Sequence, residues 1–351
     1  MDWSKDAPKE NLMIKLVLSD MDGTLLPKGG EHVSYRTVTA IRELVEAGVR
    51  FAPATGRQAY ELDQRFFGAR ECYQTAITAN GKRVYVDGEL RHEVLMDRNV
   101  LVRVEQALTD IPNTFLVVEP AINPKGSRTW PCVGARKGDA EWFGKNVGFP
   151  AEAVDALPDE EFISAEVACA GSDEQYEEII EQLKALAPEC DFVTSQTHWC
   201  DILPKGSNKG TALMALLDEL GISVDEAVFF GDMENDLALM ELVPDSVAVA
   251  NATPAAAKAA RWHVGDVADE GTTVAIEQIT EAVRTGGTPA FMLQESWTPD
   301  AAEAETEEAD EPYEDEGPLS SEAIRALLAA KLGPEFGGEA GTVGGAGADA
   351  L

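Results

Sequence analysis

Positive charge is what this chain is shortest of: 28 lysines and arginines stand against 63 aspartates and glutamates, a formal net charge of -35 over 351 residues. A field of that sign repels polyanions, which argues against sequence-independent binding to nucleic acid or an anionic membrane; divalent cations are its natural guests. Cysteine is scarce as well. Cys72, Cys132, Cys169, Cys190 and Cys200 are odd in number and scattered, with neither the paired spacing of a zinc site nor the density of a disulfide scaffold, so buried reduced thiols are expected. No apolar run approaches the roughly 20 residues of a membrane span. The opening MDWSKDAPKENLMIKLVL is polar and acidic and lacks the charged-then-apolar layout of a signal peptide. A soluble cytoplasmic protein is expected.

What the chain does have is alternation. IKLVLS, TVTAIRELVEAG, VRFAPA, QAYELDQRFF and TAITA succeed one another, and GTALMALLDELG, AVFF, DLALMELV, SVAVA, ATPAAAKAA and WHV resume the pattern late in the chain. Strand-length apolar runs followed by helical periodicity imply parallel crossovers, so an α/β fold with a doubly wound parallel sheet is predicted, its core built from residues 1–83 and 202–286. Between them, over residues 84–201, turn signals such as VDGE and INPKGSRTWPCVGARKGDAEW interrupt shorter elements. An inserted α+β domain is predicted there, with hinges near Val84 and Asp201. Residues 287–351 are acidic and end rich in glycine and alanine, which predicts a mostly disordered tail. Within it, SSEAIRALLAAKL (320–332) sets Ile324, Leu327, Leu328 and Leu332 at helical spacing behind a capping serine; docking on its own domain or on a partner protein both stay open.

In an open parallel sheet the binding crevice lies beyond the carboxyl ends of the strands. Asp20 and Asp22 follow the first strand, Thr55, Gly56 and Arg57 the second, and Asp232, Asn235 and Asp236 follow AVFFG, while Lys209 opens a helix after the insertion. Each group alone has a plain reading as a turn or helix cap. Together, at four separate element ends, they suit phosphoryl transfer. Asp20 can attack phosphorus, and Asp22 can protonate the leaving oxygen and later deprotonate water. Mg²⁺ held by Asp20, Asp232 and a backbone carbonyl would neutralise the anionic reactants. Lys209, Thr55 and nearby main-chain N–H groups, Met21 among the residues of the first loop, can hold the transferring oxygens.

The runs DMDGTLL, ATGR, SNKG and GDMEND, in that order, resemble motifs one to four of the haloacid dehalogenase (HAD) superfamily. The strand TANGKRV, the insertion between motifs two and three, and VAVANATPAAAKAARWHV with DEGTTVAIEQI resemble its Cof-type subfamily with a C2B cap, over roughly residues 14–283. The resemblance implies a HAD-like Rossmannoid core, a cap closing over the core site, and a Mg²⁺-dependent phosphatase of small phosphorylated molecules. It implies Asp20 as nucleophile and Asp22 as acid/base whose backbone carbonyl also meets the metal. Thr55 and Gly56 become the phosphate-binding turn, Lys209 the motif-three lysine, Asp232 a metal ligand, Asn235 a phosphate contact and Asp236 a metal-shell or orienting acid. Met233–Glu234 is a looser match, since glycine is common at the first of these positions.

Weaker signals are His198 and Trp199, just before the return to the core and read chiefly as structural, and the basic run holding Lys125, Arg128, Arg136 and Lys137, either solvated or an anion-binding loop of residues 125–137. Rival readings are a phosphomutase or phosphotransferase of the same fold, a phosphorylatable receiver, and a scaffold acting through the acidic tail.

Overall fold

The structure, a computed structural model, describes residues 13–123, 128–147, 150–196 and 198–293. Lys125, most of the predicted tail and its 320–332 segment lie outside them. The chain divides into two compact units. The first opens with β1 (Leu16–Ser19), α1 (Tyr35–Glu46), β2 (Arg50–Pro53), α2 (Ala59–Arg65), β3 (Ala76–Thr78), β4 (Arg83–Val86) and β5 (Glu89–Glu93). The second contains α3 (Arg98–Leu108), β6 (Thr114–Pro120), β7 (Trp130–Val133), α4 (Lys137–Val147), β8 (Ala151–Val154), β9 (Phe162–Cys169), α5 (Asp173–Leu186), β10 (Cys190–Gln196) and β11 (Trp199–Pro204). The chain then completes the first with α6 (Lys209–Leu220), β12 (Ala227–Gly231), α7 (Leu237–Leu242), β13 (Asp245–Ala248), α8 (Pro254–Ala259), β14 (Trp262–His263) and α9 (Gly271–Thr285).

In the first unit five parallel strands run in the order β14-β13-β12-β1-β2. Their side chains alternate between two apolar layers. Val17, Phe51, Val228 and Phe230 pack with Val38, Ile41 and Leu44 of α1 and Ile276 and Ile279 of α9. Leu16, Leu18 and Phe229 pack with Leu213, Leu216 and Leu217 of α6 and Leu239 and Met240 of α7. Each fully buried Leu or Phe contributes about 2 kcal/mol, so a strand with apolar residues on both faces is stable only when helices cover both. Capping fixes where the helices start: Ser34 Oγ accepts the Thr37 N–H at 3.0 Å, and Asn208 Oδ1 accepts the Thr211 N–H at 3.0 Å. Because the chain leaves β1 toward β2 and returns on the other side through β12, the order reverses at β1. The carboxyl ends of these three strands bound the crevice.

The second unit is the expected α+β mixture, a six-stranded sheet in the order β10-β11-β9-β6-β7-β8, antiparallel except for β7 with β8. Apolar side chains of α3 and α5 cover one face and Ala140 and Phe143 of α4 pack on the other.

Three boundaries differ from the expected ones. Val84 is no hinge: it lies in β4, which pairs with β3 and β5, and the first unit continues to Leu95. The VDGE signal is the tip of that β4–β5 hairpin in the first unit, with Asp87 and Gly88 at φ 54° and 85°, rather than a turn inside the inserted domain. The return also falls later than Asp201, at Gly206, because Asp201 sits in β11. Residues 121–123 and Arg128, between β6 and β7 in sequence, group with the first unit, where the Ala121 carbonyl accepts from Arg83 Nη2 at 2.6 Å. Residues 287–293, assigned to the predicted tail, include part of the folded core. Phe291 and Met292 are buried against Phe230, and the Phe291 N–H donates to Gln278 Oε1 at 2.9 Å.

Candidate active site

Burial of charge defines the site. Lys209, 1% exposed on the first turn of α6, places Nζ between two carboxylates: it donates to Asp20 Oδ1 at 2.6 Å and to Asp236 Oδ1 at 2.7 Å. Asp232 completes the group, its Oδ1 accepting from Thr24 Oγ1 at 2.8 Å. One oxygen from each of Asp20, Asp232 and Asp236 lies within 4.8 Å of the others, all three side chains being buried. With three acids facing one lysine, the group carries excess negative charge. Burial pushes the Asp20 carboxyl well above the usual carboxylate range, against the pull of Lys209 and with Asp236 and Asp232 adding to the rise. Burial likewise raises Asp232 to about 6, with Asp236 adding to it and Thr24 opposing. Burial would draw the Lys209 ammonium down, but Asp20 and Asp236 outweigh it and hold its pKa above the ordinary lysine value.

Oxygen-only donors with unneutralised charge fit a hard divalent cation. The three acids are not equivalent toward it. Asp236 already spends Oδ1 on Lys209 and Oδ2 on the main-chain N–H groups of Asp232 at 3.0 Å and Met233 at 3.3 Å. Asp20 and Asp232 are therefore the better placed carboxylate ligands, with Asp236 as the acid that orients them.

Asp22 stands apart. Its carboxylate takes a two-pronged ion pair from Arg57, Nε to Oδ2 at 2.7 Å and Nη2 to Oδ1 at 2.5 Å, while Arg57 Nη1 reaches Glu61 Oε1 at 3.0 Å. Arg57, expected at the phosphate, thus grips the neighbouring acid, and the Asp22 carboxylate is not among the clustered acids that could hold a metal. Thr55 is buried at the end of β2, with its Oγ1 accepting the Arg57 N–H at 3.2 Å, and Gly56 is exposed beside it. Asn235 sits half-buried in the short turn Glu234–Asp236 and bonds to none of the other site side chains. Met21, expected at the phosphate, turns its side chain into the core beside Val17 and Ile41, and its carbonyl accepts the Leu25 and Leu26 N–H groups at 3.0 and 2.8 Å. Only its main chain is available to a ligand.

A supporting ring was not among the expected residues. Thr272 Oγ1 donates to the Thr24 carbonyl at 2.7 Å, and Asn251 Nδ2 donates to the Gly23 carbonyl at 2.7 Å while its Oδ1 accepts the Val267 N–H at 2.9 Å. Both clamp the loop after β1. Gly23 itself has no alternative: at φ 89°, a Cβ there would lie 2.3 Å from Asp232 Oδ2. The only sequence signal for this ring is that Thr24, Asn251 and Thr272 lie inside the quoted runs.

In the second unit, Trp199 stacks on Phe143 with centroids 4.8 Å apart, and the His198 ring nitrogen Nε2 lies 2.6 Å from Asp173 Oδ1, both structural roles. Of the basic run, Arg128 groups with the first unit and Arg136 and Lys137 with the second, where Lys137 faces Glu141 at 3.8 Å.

A family model for haloacid dehalogenase-like hydrolases matches residues 17–276. The HMP-PP phosphatase of Citrobacter koseri is 29% identical over 245 residues, covering 69% of this chain and 86% of that protein. Two solved structures share the fold. One is a phosphatase of the haloalkanoate enzyme superfamily from Bacteroides thetaiotaomicron, with a TM-score of 0.65 at 20% identity over 78% of this chain and 98% of that one. The other is a HAD subclass IIB sugar phosphatase, with a TM-score of 0.62 at 18% identity over 76% of this chain and 98% of that one. The order of the motifs, the doubly wound sheet that gathers them and the span of the family match together make this chain a member of the haloacid dehalogenase-like hydrolases.

Proposed function

We propose that this hydrolase is a Mg²⁺-dependent phosphatase of small phosphorylated metabolites, sugar phosphates or similar phosphomonoesters, working through an aspartyl-phosphate on Asp20. The observation that carries the reading is the Lys209 ammonium bridging Asp20 and Asp236, with Asp232 inside the same 4.8 Å cluster and Asp22 held separately by Arg57. A carboxylate oxygen of Asp20 forms the bond to phosphorus as the ester oxygen leaves, and Asp22, protonated for this step, gives its proton to that oxygen. Asp22, now anionic, then takes a proton from water, whose oxygen attacks the phosphorus and releases inorganic phosphate and free Asp20. Lys209 stays an ammonium throughout and offsets charge on the transferring oxygens, which Thr55 and the main chain of its turn also hold. Mg²⁺, when bound by Asp20, Asp232 and the Asp22 carbonyl, would supply neutralisation of the anionic reactants. Arg57 fixes the direction of Asp22, and one of its two bonds must open before the acid can donate.

Two separate carboxylates favour hydrolysis over a passive phosphoreceiver, which has no use for an acid/base. The similar proteins include an HMP-PP phosphatase and a sugar phosphatase, so the substrate proposed is the class rather than a compound. A screen of phosphorylated metabolites for phosphate release, with Mg²⁺ and with chelator, tests the reading. Release that needs Mg²⁺ and no sugar bisphosphate activator is expected. Full activity in chelator overturns the metal assignment, and phosphoryl transfer to a second sugar hydroxyl without phosphate release overturns hydrolysis in favour of a mutase.

A further inference from the structure

Between β3 and β4 the backbone takes an unusual path. Three consecutive residues have positive φ: Ala79 at 51°, Asn80 at 54° and Gly81 at 94°. Glycine adopts this region freely, asparagine at small cost and alanine only under strain. Such a conformation persists where its surroundings over-determine it. Here they do so from two sides. The Asn80 N–H donates to the Thr55 carbonyl at 3.1 Å and the Ala79 N–H to the Arg57 carbonyl at 3.0 Å, which bonds the loop to the turn after β2. On its other side the loop presses on the start of α6, where a Cβ on Gly81 would lie 2.3 Å from the Asn208 carbonyl oxygen and 2.8 Å from the Lys209 nitrogen. A single short loop therefore touches both main-chain segments that present Thr55 and Lys209.

The Asn80 side chain extends the same bracing. A Cβ placed on Gly56 would meet its Nδ2 and its Oδ1 each at 3.2 Å. The carboxamide thus lies beside the exposed glycine whose main chain would meet a phosphoryl oxygen.

We propose that Asn80 is a positioning residue of the phosphate cradle: its left-handed backbone sets the spacing between Thr55 and Lys209, and its carboxamide supports Gly56, keeping the turn's main chain aimed at the transferring group. The proposal rests on the phosphatase reading above. Both variants in its test keep the left-handed backbone, so the test isolates the side chain. Asn80→Gly keeps the left-handed backbone and deletes the carboxamide, while Asn80→Asp keeps the shape and adds a negative charge beside the phosphate.

For each variant of the full chain with Mg²⁺, kcat and KM on the best substrate of the screen, the inhibition constant of orthophosphate and the melting temperature would be measured. Asn80→Gly is expected to melt within a few degrees of wild type, since glycine suits this backbone. It should nevertheless weaken orthophosphate inhibition about tenfold or more and lower kcat/KM to a similar extent. Asn80→Asp should weaken orthophosphate inhibition further. An Asn80→Gly enzyme within twofold of wild type in both constants overturns the proposal, as does a loss that only accompanies a fall of ten degrees or so in melting temperature, which marks general damage. A wild-type enzyme that releases no phosphate from any substrate sinks the phosphatase reading and this one with it; an active wild type beside an indifferent Asn80→Gly sinks this one alone.

Discussion

Asp20 and Asp232 are carboxylates in surroundings that resist their charge, and the two predictions at the scale of single residues follow from that. Asparagine fills the volume of Asp20 but cannot attack phosphorus, so Asp20→Asn should lower turnover by on the order of 10⁴-fold with the fold intact. Activity within about tenfold of wild type, in a variant with an unchanged melting curve, would end the aspartyl-phosphate mechanism. For Asp232 the sign of the pH effect can be worked out. Its carboxyl titrates at about 6 in the folded protein against a reference of 3.8. Between those values the folded chain holds a proton that the unfolded chain has lost, so the contribution to stability falls as pH rises through the window and the penalty is complete above about 6. Asp232→Asn removes the penalty and should stabilise the metal-free protein at pH 7 by about 3 kcal/mol, an advantage that closes as the pH is lowered toward 4. The same variant should lose the melting shift that Mg²⁺ gives the wild type. Melting curves across pH, with and without Mg²⁺, check both; a variant no more stable than wild type at pH 7 would show that the Asp232 charge is already compensated.

At the scale of elements, α9 matters to chemistry it does not touch. Its first turn carries Thr272, buried, whose hydroxyl holds the carbonyl of Thr24 at 2.7 Å, and Thr24 in turn bonds Asp232. Thr272→Val keeps the volume and strands that carbonyl, at a cost of about 1–2 kcal/mol. A melting temperature lower by a few degrees is expected, together with a reduced kcat as the loop after β1 loosens; an unchanged kcat would show that Thr24 needs no brace. The residues proposed for catalysis were legible in the sequence because each sits at an element end, where an apolar run stops against polar residues that a strand or helix does not need. Thr272 was not, since a threonine opening a helix has an ordinary explanation as a cap and its partner lies at the far end of the chain. Arg57 was legible as a site residue but not as the partner of Asp22: a guanidinium next to a phosphate turn suits an anion of either kind. The parallel core followed from strands alternating with helices, whereas the hairpin around Asp87–Gly88 was assigned to the insertion because a turn signal does not say which two elements it joins.

Over the whole molecule the dominant property is the charge of -35, carried around a site whose proposed substrate is itself an anion. Residues 295–351 are rich in acids and lie outside the motifs and the described structure. Removing them should leave kcat nearly unchanged and speed substrate capture slightly at low salt, an effect that fades near physiological ionic strength, where screening acts over about 8 Å. A fall of several degrees in melting temperature on truncation would instead assign the segment to the folded body. The buried cysteines have a different use. All five thiols are free and enclosed, and burial holds Cys72, Cys132 and Cys200 up at about 12 and Cys190 at about 11, so a thiol-specific reagent finds no reactive thiolate in the native state. Modification must wait for opening, and the cysteines are shared unevenly: Cys72 lies in the first unit and the other four in the second. The mass of the labelled protein therefore tells which half has come apart. An early species bearing four labels means that the second unit opens by itself, a species bearing one means that the first does, and a direct jump to five means that the chain unfolds as a whole.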